Sequence, residues 1–229
     1  MAIPLRHPWD LSPRDAINLQ EKLASQIRLL DDEESAEVRT VAGADMSIDT
    51  RTGMGFAGVI AFEFPSLREI ERVSDSALLT FPYIPGLLSF REGPVLLKAF
   101  EKLKTSPDVL VFDGQGIAHP RRLGIASHMG LLLDKPSIGC GKSLLCGVYR
   151  EPGFEKGAME PLLIEEEGGS EMVGTILRTK DRVKPVFISP GHRISHRKAV
   201  DVILKCLDGY RIPKPTRLAD QFVGSIKVI

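Results

Sequence analysis

The 229-residue chain is poor in signals of compartment or partner. Thirty Lys and Arg residues are cancelled by thirty Asp and Glu, so no global field marks it for nucleic acid or a membrane surface. Any polyanion must meet a local patch. The three cysteines, Cys140, Cys146 and Cys206, are odd in number and form neither a CxxC pair nor a zinc spacing. That argues against a disulfide framework and suits a reducing cytosol. No apolar run approaches the roughly 20 residues of a membrane span, and the start MAIPLRHPWD lacks the apolar core of a signal peptide. The expectation is a soluble, cytoplasmic, monomeric protein with no membrane partner. Internal repeats are absent too, and at 43% hydrophobic the chain can bury one large core, so residues 1–229 are read as a single domain.

What is present is an alternation of strands and helices. Ser12, Pro13 and Asp15 mark a helix start, and Ala16, Leu19, Leu23, Ile27 and Leu30 recur at helical spacing. The acidic stretch DDEESAE follows. Strand-like segments at 38–48, 53–64 and 68–81 predict an antiparallel meander, with Gly53 and Gly55 where a tight turn is needed. Residues 94–104 read as a helix, 108–114 as a strand buried on both faces, 125–134 as a helix and 136–141 as a strand. This order implies a partly parallel sheet. Further strands are expected over 148–190, with Gly168 and Gly169 turning a hairpin, then a helix over 194–207 and a last one from near Thr216.

Several acids sit where chemistry is done. Asp113 ends the apolar strand VLVF and precedes Gly114-Gln115-Gly116, which would let a ligand approach the backbone; a turn-forming Asp-Gly is the plainer reading. Asp45 lies inside the apolar strand VAGADMSID. Burying an unpaired charge is expensive, so it faces water, a partner or a metal. Glu92 completes a Ser89-x-x-Glu92 capping box, although Pro94 would then fall deep in the helix. Asp220 lies between Leu218 and Phe222 on the terminal helix, where a solvated acid is unremarkable. A mixed sheet can gather such acids at one end of its strands, making an oxygen-rich site for Mg²⁺ or Mn²⁺ able to hydrolyse a phosphodiester. The order of elements suggests a ribonuclease H-like mixed β-sheet flanked by helices, in the α/β class.

Other features weigh less. Gly141-Lys142-Ser143 ends like a phosphate loop, but Pro136 stands where that motif needs glycine. Lys142 is left to touch a phosphate or solvent. No histidine pair has metal-ligand spacing; His128 is expected on a helix surface, whereas His119 and His192 follow glycine-containing loops and are candidates for polar roles. HRISHRK, Arg91, Arg121, Arg122 and Lys142 would form a local phosphate-binding patch. Tyr83 is held between Pro82 and Pro85 in PYIPGLLSFREGP, on a stiff loop near Glu92.

The stretches VAGADMSID, PYIPGLLSFREGP, VFDGQGIAHPRRLGIASHMG, IGCGKSLL, PVFISPGHRIS and YRIPKPTRLADQF occur in this order. Together they resemble endonuclease V, a metal-dependent repair nuclease of deaminated purines, over about residues 12–222. The resemblance implies that Asp45, Glu92 and Asp113 are metal-site carboxylates, with Asp220 at a further carboxyl-terminal position. Lys142 and His119 would be catalytic residues. Pro82, Tyr83, Ile84 and Pro85 would form a strand-separating wedge, with Arg91, Gly114 and His192 also at the DNA. The implied reaction is Mg²⁺-dependent hydrolysis, with Mn²⁺ as a substitute, of the second phosphodiester 3′ to deoxyinosine in DNA, leaving a 5′-phosphate. The alternatives are a branched-DNA nuclease of the same fold and a noncatalytic or RNA-directed inosine binder.

Overall fold

A computed structural model describes residues 1–34 and 37–227; Ser35 and Ala36 of the acidic stretch lie outside the described residues. The meander forms where the sequence predicted it: β1 (Thr40–Asp49), β2 (Met54–Glu63) and β3 (Glu69–Leu78) pair antiparallel in order. Gly53 takes the left-handed φ of 73° in the first turn, while Gly55 is already in β2. After α2 (Leu88–Lys102), β4 (Val109–Phe112) pairs parallel to β1, and after α3 (Ile125–Leu133), β5 (Ser137–Gly141) pairs parallel to β4. The hairpin of β6 (Met159–Glu166) and β7 (Gly169–Leu177) turns at Gly168. β8 (Val186–His192) then inserts antiparallel between β7 and β5, giving an eight-stranded sheet of order β3-β2-β1-β4-β5-β8-β7-β6.

Alternation along the strands divides the core into two layers. Ala42, Ala44, Leu110 and Phe112 pack with apolar residues of α2 and α3. Val41, Val109, Val111, Ile138 and Cys140 face the other way, against α4 (His196–Lys205) and α5 (Lys214–Ile226). No described helix is long and apolar enough to cross a membrane.

Three local expectations change. α1 spans Pro13–Ala24, capped by Ser12, whose hydroxyl accepts from the Asp15 amide; Ile27 and Leu30 lie beyond it and pack from the following segment. α2 begins six residues before Pro94, which is internal. The capping box is not made, because the Ser89 hydroxyl pairs instead with His128 Nδ1 at 2.9 Å. His128 is thus not on a helix surface. It is fully buried, its Nε2 lies 2.7 Å from His7 Nε2, and its ring lies among those of His7, Trp9 and Phe90.

Candidate active site

The parallel ladder of β1 and β4 ends with Ala44 opposite Phe112. The next residue of each strand is an acid, Asp45 and Asp113. Both stand where the β1–β4 ladder stops and those two strands can open a crevice, while β1 stays paired to β2 as far as Asp49. Asp45 shares the parity of Val41, and Asp113 that of Val111, so both side chains turn toward the layer of α4 and α5. Lys142, one residue past β5, has the parity of Ile138 and Cys140 and forms an ion pair with Asp113.

The remaining acids arrive from the two helical layers. α5 can lie against β1 because residue 43 is glycine: a Cβ there would fall 2.2 Å from the carbonyl carbon and oxygen of Pro215. This close packing brings Asp220 within electrostatic reach of Asp45. Glu92 comes from the opposite layer, on the second turn of α2.

Burial, then the charges of Asp113 and Asp220, push the Asp45 carboxyl up to about 7. Burial, then Asp45 and Asp113, push Glu92 up to about 8. For Lys142, burial acts downward, but the contact with Asp113 and the fields of Asp220 and Asp45 outweigh it and raise its pKa. Among the described residues no three His, Cys, Asp or Glu side chains are already arranged as a metal-ligand cluster; the positive charge at Asp113 comes from Lys142. The donor chemistry nevertheless fits a hard divalent cation, since the acids offer only oxygen, and their mutual repulsion is what such a cation relieves.

The proline-bracketed loop stands beside this crevice. Phe81 and Leu87 are buried at its two ends, whereas the Tyr83 side chain is 68% exposed, so the ring does not pack beneath its own loop. Gly86, at φ 80°, offers one carbonyl to three donors at 3.0 Å each: Gln20 Nε2, His119 Nε2 and Arg121 Nη2. Between this loop and the turn after β4 is a cavity of about 160 Å³, lined by Tyr83, Ile84, Pro85, Gly114, Gln115 and His119 among others. The buried Gln115 donates to the Ser143 carbonyl at 3.0 Å, and its Oε1 finds no donor among the described residues.

Several expected site residues serve elsewhere. His119 is buried; Nε2 donates to Gly86 and Nδ1 accepts from the Arg121 amide at 3.1 Å. Burial, then the charge of Arg121, lowers its pKa to about 4, and it braces the loop and lines the cavity. Arg91 donates to the Phe81 carbonyl at 2.6 Å. Arg121 is committed to Gly86, and Arg122 to Glu166 and Glu171. His192 lies opposite Ser137, the first residue of β5, because β8 runs antiparallel. It and the HRISHRK cluster are therefore at the far end of the sheet from Asp113 and Lys142. Gln20 and Gln115 were missed; the one available signal for Gln20 was its place on the Ala16–Leu23 face of α1.

The five-stranded core order β3-β2-β1-β4-β5, with one acid within β1 and one just after β4 where their ladder stops and helices on both faces, is that of the ribonuclease H-like α/β proteins. Within that class the chain belongs to the endonuclease V family, whose model, described as Endonuclease V, matches residues 21–221. The Endonuclease V of Trichormus variabilis is 45% identical over 98% of this chain and 100% of its own length. The crystal structure of the Streptomyces avermitilis Endonuclease V is 34% identical, with a TM-score of 0.89 covering 100% of this chain and 98% of that one. The Ciona intestinalis Endonuclease V, solved in complex with a 24mer DNA containing an inosine followed by a ribo-adenosine, is 25% identical, with a TM-score of 0.80 over 94% of this chain and 97% of that one.

Proposed function

We propose that this protein is a DNA repair endonuclease that recognises deoxyinosine and hydrolyses the second phosphodiester bond on its 3′ side, with Mg²⁺ or Mn²⁺ as cofactor. The observation that carries this reading is the convergence of Asp45, Asp113, Glu92 and Asp220 around the point where the β1–β4 ladder stops, with Lys142 paired to Asp113. A pure binding module would gain nothing from repelling carboxylates beside a polyanion. Asp45, Asp113 and Glu92, with Asp220 behind them, would hold the divalent ion, which supplies Lewis-acid stabilisation of the developing phosphate charge and a more acidic water.

The protein's own groups do the rest. Lys142 carries a fixed positive charge at the crevice, placed to stabilise the phosphorane-like charge as water adds to phosphorus and the P–O3′ bond breaks. The products are a 3′-hydroxyl and a 5′-phosphate. Tyr83 stands exposed on a loop braced through Gly86 and is suited to take the place of a base drawn out of the stack. The adjacent cavity, with largely apolar walls, suits a flipped purine.

The test is a nicking assay on end-labelled deoxyinosine duplex, undamaged duplex, a branched junction and inosine-containing RNA, each with Mg²⁺ or with chelator. The expected result is one Mg²⁺-dependent cut, two phosphodiesters 3′ of the lesion, on the deoxyinosine duplex. Preferred cutting of the junction or the RNA, or binding without cutting, would overturn it.

A further inference from the structure

The end of the sheet that carries Asp113 and Lys142 continues past β5. β8 starts there, since Phe187 faces Gly141; β7 ends there, since Leu177 faces Val186; and β6 starts there, since Met159 faces Leu177. The segments at 178–185 and 150–158 therefore form a ledge beside Lys142, about 14 Å wide over three strand spacings, and the turn at 207–213 joins it through Thr179, whose hydroxyl donates to the Arg211 carbonyl at 2.7 Å.

This ledge is held rigid from below. Arg178 is buried, donates to the carbonyls of Gly153 at 2.9 Å and Pro152 at 2.8 Å as well as to that of Val183, and pairs with Glu151 at 2.8 Å. Arg211 ties the Lys142 turn to the ledge, donating to the carbonyls of Lys142 and Lys184 at 2.8 Å each. Yet what the ledge presents outward is aromatic and basic. Phe154 is 68% exposed and Tyr210 57% exposed. Each ring has a guanidinium near one face, Arg178 at 5.6 Å and Arg217 at 4.0 Å. Three of the local acids are occupied, Glu151 by Arg178, Asp181 by the Lys156 amide and Asp208 by Arg217, while Glu155, beside Phe154, is exposed. Among the described residues no ion pair engages Lys180, Arg182 or Lys184.

Exposed rings interleaved with uncommitted cations are the requirement for holding a single nucleic-acid strand by stacking and phosphate contact. We infer that this ledge is a second nucleic-acid site, which binds the part of the cleaved strand lying 3′ of the cut. The assignment of direction rests on the proposed function. The lesion side is taken by the Tyr83 loop and its cavity, so the strand that leaves the acids on the Lys142 side is the one beyond the scissile phosphate. The ledge thus grips the 5′-phosphate product arm.

The test measures affinity in chelator, by fluorescence anisotropy, for deoxyinosine strands whose 3′ arms extend from about two to about twelve nucleotides past the cut. The wild type should bind more tightly as the 3′ arm grows. Phe154→Ala with Tyr210→Ala should lose roughly tenfold per ring on long arms alone, and Lys180→Glu with Arg182→Glu should also flatten the salt dependence. Nicking of short-arm strands in Mg²⁺ should be unchanged in both variants, whose melting temperatures are compared with wild type. Equal losses on short and long arms, retained arm-length dependence in both variants, or a dependence on the 5′ arm instead would overturn the ledge. Failure of the wild type to nick deoxyinosine counts against the proposed function, whereas the anisotropy series reads the ledge without cleavage.

Discussion

At the scale of single residues, the acids and the lysine at the crevice separate by what their removal changes. Asp45→Asn keeps size and removes charge. It should cut nicking by orders of magnitude while leaving lesion binding intact, and it should shrink the rise in melting temperature expected of the wild type in Mg²⁺. Near-normal nicking at saturating Mg²⁺ would remove Asp45 from the site. Lys142 is a charge beside Asp113 rather than an oxygen donor, so Lys142→Ala should depress turnover while the Mg²⁺-induced melting shift persists. Added Mg²⁺ should not restore the rate; restoration would make the lysine a support of the carboxylates instead.

At the scale of elements, the loop from Pro82 to Gly86 and helix α5 are both placed by contacts distant in sequence. Three donors converge on the Gly86 carbonyl, so Tyr83 is presented by a braced loop. Because extruding a base from a duplex costs a few kcal/mol that a single strand is spared, Tyr83→Ala should weaken duplex nicking much more than single-strand nicking. Equal losses on the two substrates, scored in parallel gels, would reject a wedge. For α5, the limiting contact is Gly43 against Pro215. Gly43→Ala should destabilise the fold by roughly 1–3 kcal/mol through overpacking, and should lower nicking further by moving Asp220. An unchanged denaturation midpoint would mean that the helix shifts at no cost.

At the scale of the whole molecule, burial sets the acid limit. All five histidines have pKa values below their ordinary one, in each case with burial as the largest cause. The unfolded chain takes up these protons near pH 6.5 and the folded chain resists them, so stability is lost as pH falls below that value. Asp45 and Glu92, raised to about 7 and about 8, act in the opposite sense by holding protons only in the folded state. His119, lowered to about 4, and His128, lowered well below its ordinary value, offset these two, and His7, His192 and His196 add to the loss. Urea midpoints should therefore drop between pH 6.5 and pH 5; a flat or rising profile would show that the histidines are not shielded as described.

What the sequence determined alone was whatever depends on neighbours within a few residues. The Ser12 cap, the Gly53 and Gly168 turns and the apolar run of β4 all follow from local stereochemistry, and they sufficed for the meander and the alternation of elements, whereas the family was legible in the resemblance of whole stretches such as PYIPGLLSFREGP. The tertiary structure decided the fate of polar side chains whose partners lie far along the chain. His119 and Arg121 brace Gly86 more than thirty residues away, and Ser89 turns from a helix cap to His128. His192 falls at the wrong end of the sheet because β8 runs antiparallel to β5. A polar residue's role depends on which donor or acceptor faces it after folding, and strand direction sets that pairing across distances that no local pattern records.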